Sequence, residues 1–407
     1  MKFDLFLSIC QTEVDGHTPT EKQMFQNFFD QAKYADQLGF GTAWVAETHL
    51  SCQVQKENPG AVIPHFKGEI GLNTDILQVA HLIFAQTKRI NVGSAIRNII
   101  CNGGPIAHAE AVRTFLTLNS LQNSSHRKLE LGFAAGRFPF SNTPYGMTPK
   151  TAIEELAWDV VKNKYFAQAV EIFLRFLKGE KFSSREVSPQ FLKASDFRDP
   201  AQWQKVQDLD QKTSGHTREQ IPLDCHWKFD KVGVIPFEAP LENLRLTIGS
   251  HDPEVQIAAN RILPVGVFNL SITPEKVIEE THQRMREHFH PAGGLWEREL
   301  MPRTVLLFLD DTPGISEAER SHRAKEQAKK AWENYWRAME KTLDPAKVES
   351  AVSNTIAGSP NEVIEQIRAK YHADDRLMLW FDFNNHDNEA VKASMRTFME
   401  KVAPRLG

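Results

Sequence analysis

The sequence holds no run of about 18 or more apolar residues, so a membrane-spanning helix is not expected. Its start, MKFDLFLSIC, lacks the basic region and long apolar stretch of a secretory signal. Only 4 of the 407 residues are cysteine. Cys10, Cys52, Cys101 and Cys225 lie far apart and form no CxxC pair, which argues for a reduced, cytoplasmic setting and against structural zinc. Charge of one sign is also missing: 48 basic residues face 52 acidic ones, interspersed, so neither nucleic-acid nor membrane-surface binding is implied. There is no GxGxxG fingerprint, no HExxH, no GxSxG elbow, no internal repeat and no low-complexity tract. A dinucleotide fold, a zinc hydrolase and a serine hydrolase thereby lose their usual sequence support. What is present is an ordinary globular balance, 41% hydrophobic and 25% charged.

The apolar pattern alternates between short runs and helical periods. Strands are expected at residues 2–9, 42–46, 90–96, 129–134, 244–248, 265–269, 303–309 and 377–383. The helices expected after them cover 18–38, 73–86, 106–121, 153–177, 253–262, 274–288, 316–339 and 389–402, with a further one at 360–371. Thr18, Pro19 and Glu21 read as the start of the first helix and Gly39 as its stop. Length alone suggests two or three domains, but no linker interrupts this alternation. A β/α repeat of this kind predicts one (β/α)8 TIM barrel spanning 1–407, with a doubly wound sheet as the rival. Two long stretches stand out: a rim loop at 50–72, and an irregular insertion at 178–243 that reads as a packing or oligomer arm or a substrate lid.

In such a barrel the chemistry belongs just past the C-terminal ends of the strands. Those positions hold Glu47, Thr48 and His49, then Arg97 and Asn98, then Gly136 and Arg137. Gly249, Ser250, His251 and Asp252 follow the fifth strand, Asn269 and Ser271 the sixth, Asp310 and Asp311 the seventh, and Asp382 and Asn384 the eighth. Gly249-Ser250 before a proline-started helix reads as a phosphate cradle: a close backbone approach, a hydroxyl and a helix N-terminus. Ala135-Gly136-Arg137 is a second phosphate-suited turn on the neighbouring strand. Glu47, His49, His251, Asp310 and Asp382 have the chemistry of metal ligands, but no ligand spacing accompanies them. His288 and His290 form an HxH only at a helix end, and no metal is expected.

These residues fall into a familiar order. The start through Phe6, the segment Leu38-Gly39-Phe40-Gly41-Thr42-Ala43-Trp44 through His49, and Arg89-Ile90-Asn91-Val92-Gly93-Ser94-Ala95 come first. Then follow Pro105 to Glu110, Leu129 to Gly136, Val234-Ile235-Pro236 leading to Ser250, and Gly358-Ser359-Pro360-Asn361-Glu362-Val363. In this the chain resembles the bacterial-luciferase-like family of flavin-dependent monooxygenases. The resemblance implies a barrel that binds reduced FMN delivered by a separate reductase, with O2 as co-substrate and a flavin peroxide oxidising a small or carrier-bound organic substrate in a dry pocket. It also implies a homodimer. By position, Phe6, Glu47, Ala95 and Ile96 would line the flavin ring, with a non-prolyl cis peptide at Ala95-Ile96. Gly249, Ser250, Ala135, Gly136 and Arg137 would hold the phosphate. Two departures stand out: Thr48 occupies the place of the catalytic histidine of light-emitting members while His49 is kept, and Ala135 takes the usual place of the phosphate arginine, with Arg137 two residues on. Proton handling is accordingly expected of His49, with Thr48 and Arg97 as the other candidate catalytic residues. Two further readings stay open, an F420-dependent oxidoreductase and a non-catalytic flavin-binding protein.

Overall fold

A computed structural model describes residues 1–51, 57, 68–122, 127–136, 138–339 and 345–407. Strands and helices alternate: β1 (Lys2–Leu7), α1 (Glu21–Leu38), β2 (Thr42–Val45), α2 (Ile76–Gln86), β3 (Asn91–Asn98), α3 (Gly104–Gln122) and β4 (Leu129–Ala134). Next come α4 (Ala152–Leu156), α5 (Trp158–Lys178), β5 (Gln190–Lys193), α6 (Pro200–Ser214) and β6 (Gln220–Leu223). The second half runs β7 (Leu244–Ile248), α7 (Pro253–Asn260), β8 (Val265–Val267), α8 (Glu275–His288), β9 (Arg303–Leu309), α9 (Glu317–Met339), α10 (Pro345–Ser353) and β10 (Ile356–Gly358). It closes with α11 (Pro360–Lys370), β11 (Arg376–Trp380) and α12 (Asn388–Thr397). Among the described residues, no helix is long and apolar enough to cross a membrane.

Nine strands form one parallel sheet in the order β10-β9-β11-β1-β2-β3-β4-β7-β8. The free edge of β8 turns back to β9 through a parallel bridge between Asn269 and Arg303. There the Asn269 N–H donates to the Pro302 carbonyl at 2.9 Å, and the Thr304 N–H to the Asn269 carbonyl at 3.1 Å. Side chains alternate across the sheet. Leu5, Leu7, Ala43, Val45, Leu377 and Leu379 join the large core shared with the helices. Phe6, Trp44 and Met378 face the other way, where with Phe268 they form a separate inner cluster. Burial on both faces explains near-continuous apolar runs such as Val305-Leu306-Leu307-Phe308-Leu309.

Several boundaries differ from the sequence reading for local reasons. The first helix is capped by Thr20, whose hydroxyl accepts from the Gln23 N–H at 3.2 Å, rather than starting at Thr18 and Pro19. The helix expected over 153–177 is two helices: Thr151 caps α4, and Ala157 (φ −113°) separates it from α5. The short β10 beside β9 was not expected, since three residues carry no periodicity. The insertion at 178–243 is not irregular: β5 and β6 pair antiparallel around α6. Its body packs on α5, where Phe176, Phe182 and Phe229 form a ring cluster. Trp227 also lies against Gly104 at the start of α3, so the insertion reaches the C-terminal ends of the strands. Most of the expected rim loop at 50–72 lies outside the described residues.

Candidate functional site

The C-terminal end of β2 turns three predicted residues to three tasks. The Glu47 side chain is fully buried and faces His49, with Oε1 3.1 Å from the imidazole Nε2. Its Oε2 accepts from the Ile76 N–H at 3.1 Å, at the first turn of α2, and from Arg97 Nη1 at 3.4 Å. A carboxylate with these partners acts as acceptor, so His49 Nε2 carries the hydrogen between them and Nδ1 remains for another partner. The His49 ring stands edge-on to Tyr145, centroids 6.1 Å apart. Thr48 turns away: its hydroxyl donates to the Gly71 carbonyl at 3.3 Å and accepts from Ser51 at 2.8 Å, tying down the base of the rim loop.

Arg97, near the end of β3, extends this chain to the first turns of α3. Its Nε donates to His108 Nδ1 at 2.8 Å, which makes that nitrogen an acceptor. His108 Nε2–H then donates to the Cys101 carbonyl at 2.9 Å. Burial, with Arg97 beside it, pushes the imidazole down to about 3. His108 is thus a neutral spacer that fixes Arg97, while Asp75 Oδ1 lies 3.6 Å from Arg97 Nη1. His108 was not anticipated. The available signal was position, because a residue in the first turns of α3 sits at the strand ends.

Beneath this polar chain lies an apolar floor. Phe6, Trp44, Phe268 and Met378 form it, with Ala46, Ala95, Ile96 and Trp380 packed against them. The Phe6 and Trp380 rings are 4.7 Å apart. The Ala95-Ile96 peptide is cis, as the resemblance implies, and β3 shifts register between Ser94 and Arg97 around it. Predicted Phe6, Ala95, Ile96, Glu47 and His49 therefore converge at one end of the inner face. Two buried polar atoms on this side, Trp380 Nε1 and Asp382 Oδ1, lack a well-formed protein hydrogen bond. A planar ring with apolar faces and a polar edge fits such a floor and such atoms.

The predicted phosphate turns adjoin one another. The Gly249 N–H donates to the Phe133 carbonyl at 2.8 Å, joining the end of β7 to the end of β4. A Cβ on Gly249 would come within 2.7 Å of Ile96 Cδ1 and 3.1 Å of Ala134 Cβ, so a larger residue there would press on the Ile96 side chain. Gly136 has φ +73°, and a Cβ on it would lie 2.2 Å from Asn98 Nδ2. Ser250 Oγ accepts from the Asp252 N–H at 3.3 Å, keeping its own hydrogen available. Ala135 leads the β4 turn, and Arg137 lies outside the described residues. A cation missed in the sequence reaches this turn from α5: Lys162 Nζ donates to the Gly136 carbonyl at 3.3 Å. His251 pairs with Asn269 at 3.0 Å and Asp310 with Arg323 at 3.1 Å, so these rim groups are engaged separately.

In a parallel α/β architecture, polar groups gathered at the C-terminal strand ends over an apolar floor make this end the candidate site. More particularly, residues 1–183 match the model of the luciferase-like monooxygenase family, in agreement with the resemblance read from the sequence, and the match supports an oxidoreductase. Solved structures share the fold across the chain. Monooxygenase RslO1 from Streptomyces bottropensis is 18% identical, with a TM-score of 0.68 and 100% of both chains covered. The oxygenating constituent of 3,6-diketocamphane monooxygenase from Pseudomonas putida, a type II Baeyer-Villiger monooxygenase in complex with FMN, is 16% identical, with a TM-score of 0.59 over 99% of this chain and 98% of that one. An F420-dependent secondary alcohol dehydrogenase in complex with an F420-acetone adduct is 14% identical, with a TM-score of 0.55 over 100% of this chain and 99% of that one. No curated protein matches the chain.

Proposed function

We propose that this protein is a monooxygenase that uses reduced FMN and O2 on a small or carrier-bound organic substrate. The observation that carries the reading is the meeting of the apolar floor around Phe6, Ala95 and Ile96 with the His49–Glu47–Arg97 chain at the same strand ends. The Asn269–Arg303 bridge supports closure of eight strands into a (β/α)8 barrel with that site at its mouth.

When bound, the reduced flavin would supply the electrons and the oxygen activation, one oxygen atom going to the substrate and the other to water. Phe6, Ala95, Ile96 and Trp380 would seat the ring and exclude water. Ser250, Gly249 and the turn at Ala135 and Gly136 would hold the phosphate, with Lys162 adding a positive charge beside it. His49 would hold a proton at Nε2 against Glu47 and handle a second at Nδ1. Thr48, tied into the loop base, would act on the fold of the rim rather than on the substrate. A separate reductase would deliver the flavin. Exposed Leu82 on α2 and Leu118 and Leu121 on α3 support a second copy of the chain as partner. Thiols at Cys10, Cys101 and Cys225, none of them in a disulfide, support a reduced, cytoplasmic setting.

The test is anaerobic titration with reduced FMN and, separately, with reduced F420, followed by isotopically labelled oxygen and a panel of ketones, aldehydes and aromatic substrates. Binding of reduced FMN and label in the product support the proposal. Binding of F420 alone, with substrate oxidised in the absence of oxygen, replaces it with the deazaflavin oxidoreductase. Tight flavin binding with no turnover leaves a binding protein.

A further inference from the structure

Past the end of β11 the chain turns one carboxyl toward the same floor. Side chains of β11 alternate, so that Met378, Trp380 and Asp382 share a face with Phe6, which pairs with Trp380 in the register of β1 and β11. Ser8, two residues past Phe6, clamps Asp382: its N–H and its hydroxyl both donate to Oδ2, at 3.4 and 3.2 Å. The other oxygen, Oδ1, is buried and has no protein partner. Beside it the Trp380 indole N–H approaches the carboxyl closely enough to favour the anion, while falling short of a well-formed hydrogen bond. Buried polar atoms are ordinarily satisfied. The indole N–H and Oδ1 lie side by side in loose contact, one able to donate and the other on a carboxyl held by Ser8 through Oδ2. They form a polar edge on an otherwise apolar seat.

We propose that Asp382 is a proton-holding residue of this site, fixed through Oδ2 by Ser8 and offering Oδ1 to the polar edge of the molecule seated on Phe6 and Ile96. This rests on the reading of the site as a reduced-flavin site. Burial pushes the Asp382 carboxyl up to about 6 and outweighs the two Ser8 bonds, which favour the anion. Near neutral pH the group therefore exchanges its proton readily, which suits general acid–base work. The surrounding titratable groups do not take over this role. Burial and Asp382 push the Cys10 thiol upward, so it stays protonated. Asp310, after β9, is paired with Arg323, and His386, four residues on, is bound to the Thr12 carbonyl at 2.7 Å. Glu47 and His49 are bound to each other.

The experiment has two arms, on wild type, Asp382→Asn and Ser8→Ala. The first uses the protein alone and follows the infrared carbonyl band of a protonated carboxyl, together with tryptophan fluorescence, against pH. Wild type should titrate near 6, Asp382→Asn should lose that transition, and Ser8→Ala should move it upward, because a bond that favours the anion is gone. The second measures the affinity for reduced FMN against pH. An anionic ligand beside Asp382 raises its midpoint, so wild-type affinity should weaken as pH rises through that range. A midpoint lifted by about one pH unit corresponds to about tenfold in affinity. Asp382→Asn should flatten the profile. Absence of the transition in wild type, its survival in Asp382→Asn, or an unchanged affinity profile in that variant overturns the inference. If wild type fails to bind reduced FMN at any pH, the functional reading fails, and the inference that Asp382 serves this ligand falls with it. The first arm then shows separately whether Asp382 holds a proton.

Discussion

At the N-terminal end of the inner face, Arg376 reaches two buried carboxyls at once. Its Nη1 and Nη2 grip Glu130 at 2.7 and 2.6 Å, and its Nε pairs with Asp4 at 2.6 Å. Thr42 donates to Glu130 at 2.7 Å and the Trp44 indole to Asp4 at 2.7 Å, while Arg245 stands 3.7 Å from Glu130. At the C-terminal end the Glu47–Arg97–His108 chain is equally buried, but Trp380 Nε1 and Asp382 Oδ1 lack well-formed protein hydrogen bonds. Both ends bury acids together with an arginine. One end forms a closed network with its hydrogen bonds made internally. The other leaves buried polar atoms without well-formed bonds beside the apolar floor. A buried ionic network is itself weak evidence of function, and the contrast in satisfaction is what favours the C-terminal end as the candidate site.

The largest expected effect is at the closed end. Arg376→Met leaves Asp4 and Glu130 buried without their cation, at a cost of about 3–5 kcal/mol. Denaturant midpoints at neutral pH measure it, and a loss below about 1 kcal/mol would remove the contrast. The pH dependence has a definite sign. Against burial, which raises it, Arg376 holds the Glu130 carboxyl at about 2, below its unfolded value. Its stabilisation is therefore present above the unfolded value and lost as pH falls toward about 2. Arg376→Met should flatten that acid limb.

Much of this frame was legible in the sequence. The strands 129–134, 244–248 and 303–309 fall where expected, because buried parallel strands write continuous apolar runs between turns. The rim residues Glu47, His49, Arg97 and Asp382 were legible as strand-end positions. The ion network was not. Asp4, Thr42, Glu130 and Arg376 lie up to hundreds of positions apart in the chain, and only the sheet register brings them together. For the same reason Asp382 read as one rim carboxylate among several until Ser8, from the other end of the chain, was seen to hold it. Thr48 shows the converse: it stands between two candidate site residues in sequence, but its hydroxyl is bonded into the loop base.

A smaller effect on stability and a larger one on binding are expected at the open end. Glu47→Gln keeps the shape but cannot accept from His49, Ile76 and Arg97 as an anion does. It should cost about 1–3 kcal/mol in stability and at least about tenfold in affinity for reduced FMN. Urea unfolding and fluorescence titration on the same preparation separate the two. If both fall in proportion, Glu47 belongs with the closed end as a structural acid.

The smallest effects come from making one substitution at both ends. Thr42→Val removes a hydroxyl that donates to Glu130 and accepts from Arg376 Nη2 at 2.8 Å, each group deeply buried. A guanidinium hydrogen is then left without its acceptor, and about 1–3 kcal/mol should be lost. Thr48→Val removes a half-buried hydroxyl whose partners are the half-buried Gly71 carbonyl and the buried Ser51, so water can take its place at the Gly71 end. About 0.5 kcal/mol or less is expected there, with flavin affinity and turnover within about twofold of wild type. A large loss of turnover in Thr48→Val with stability intact would return Thr48 to the chemistry and shift the proton relay away from His49. Equal stability losses in the two variants would mean that the open end is as tightly closed as the other, and that its unpartnered atoms do not mark a site.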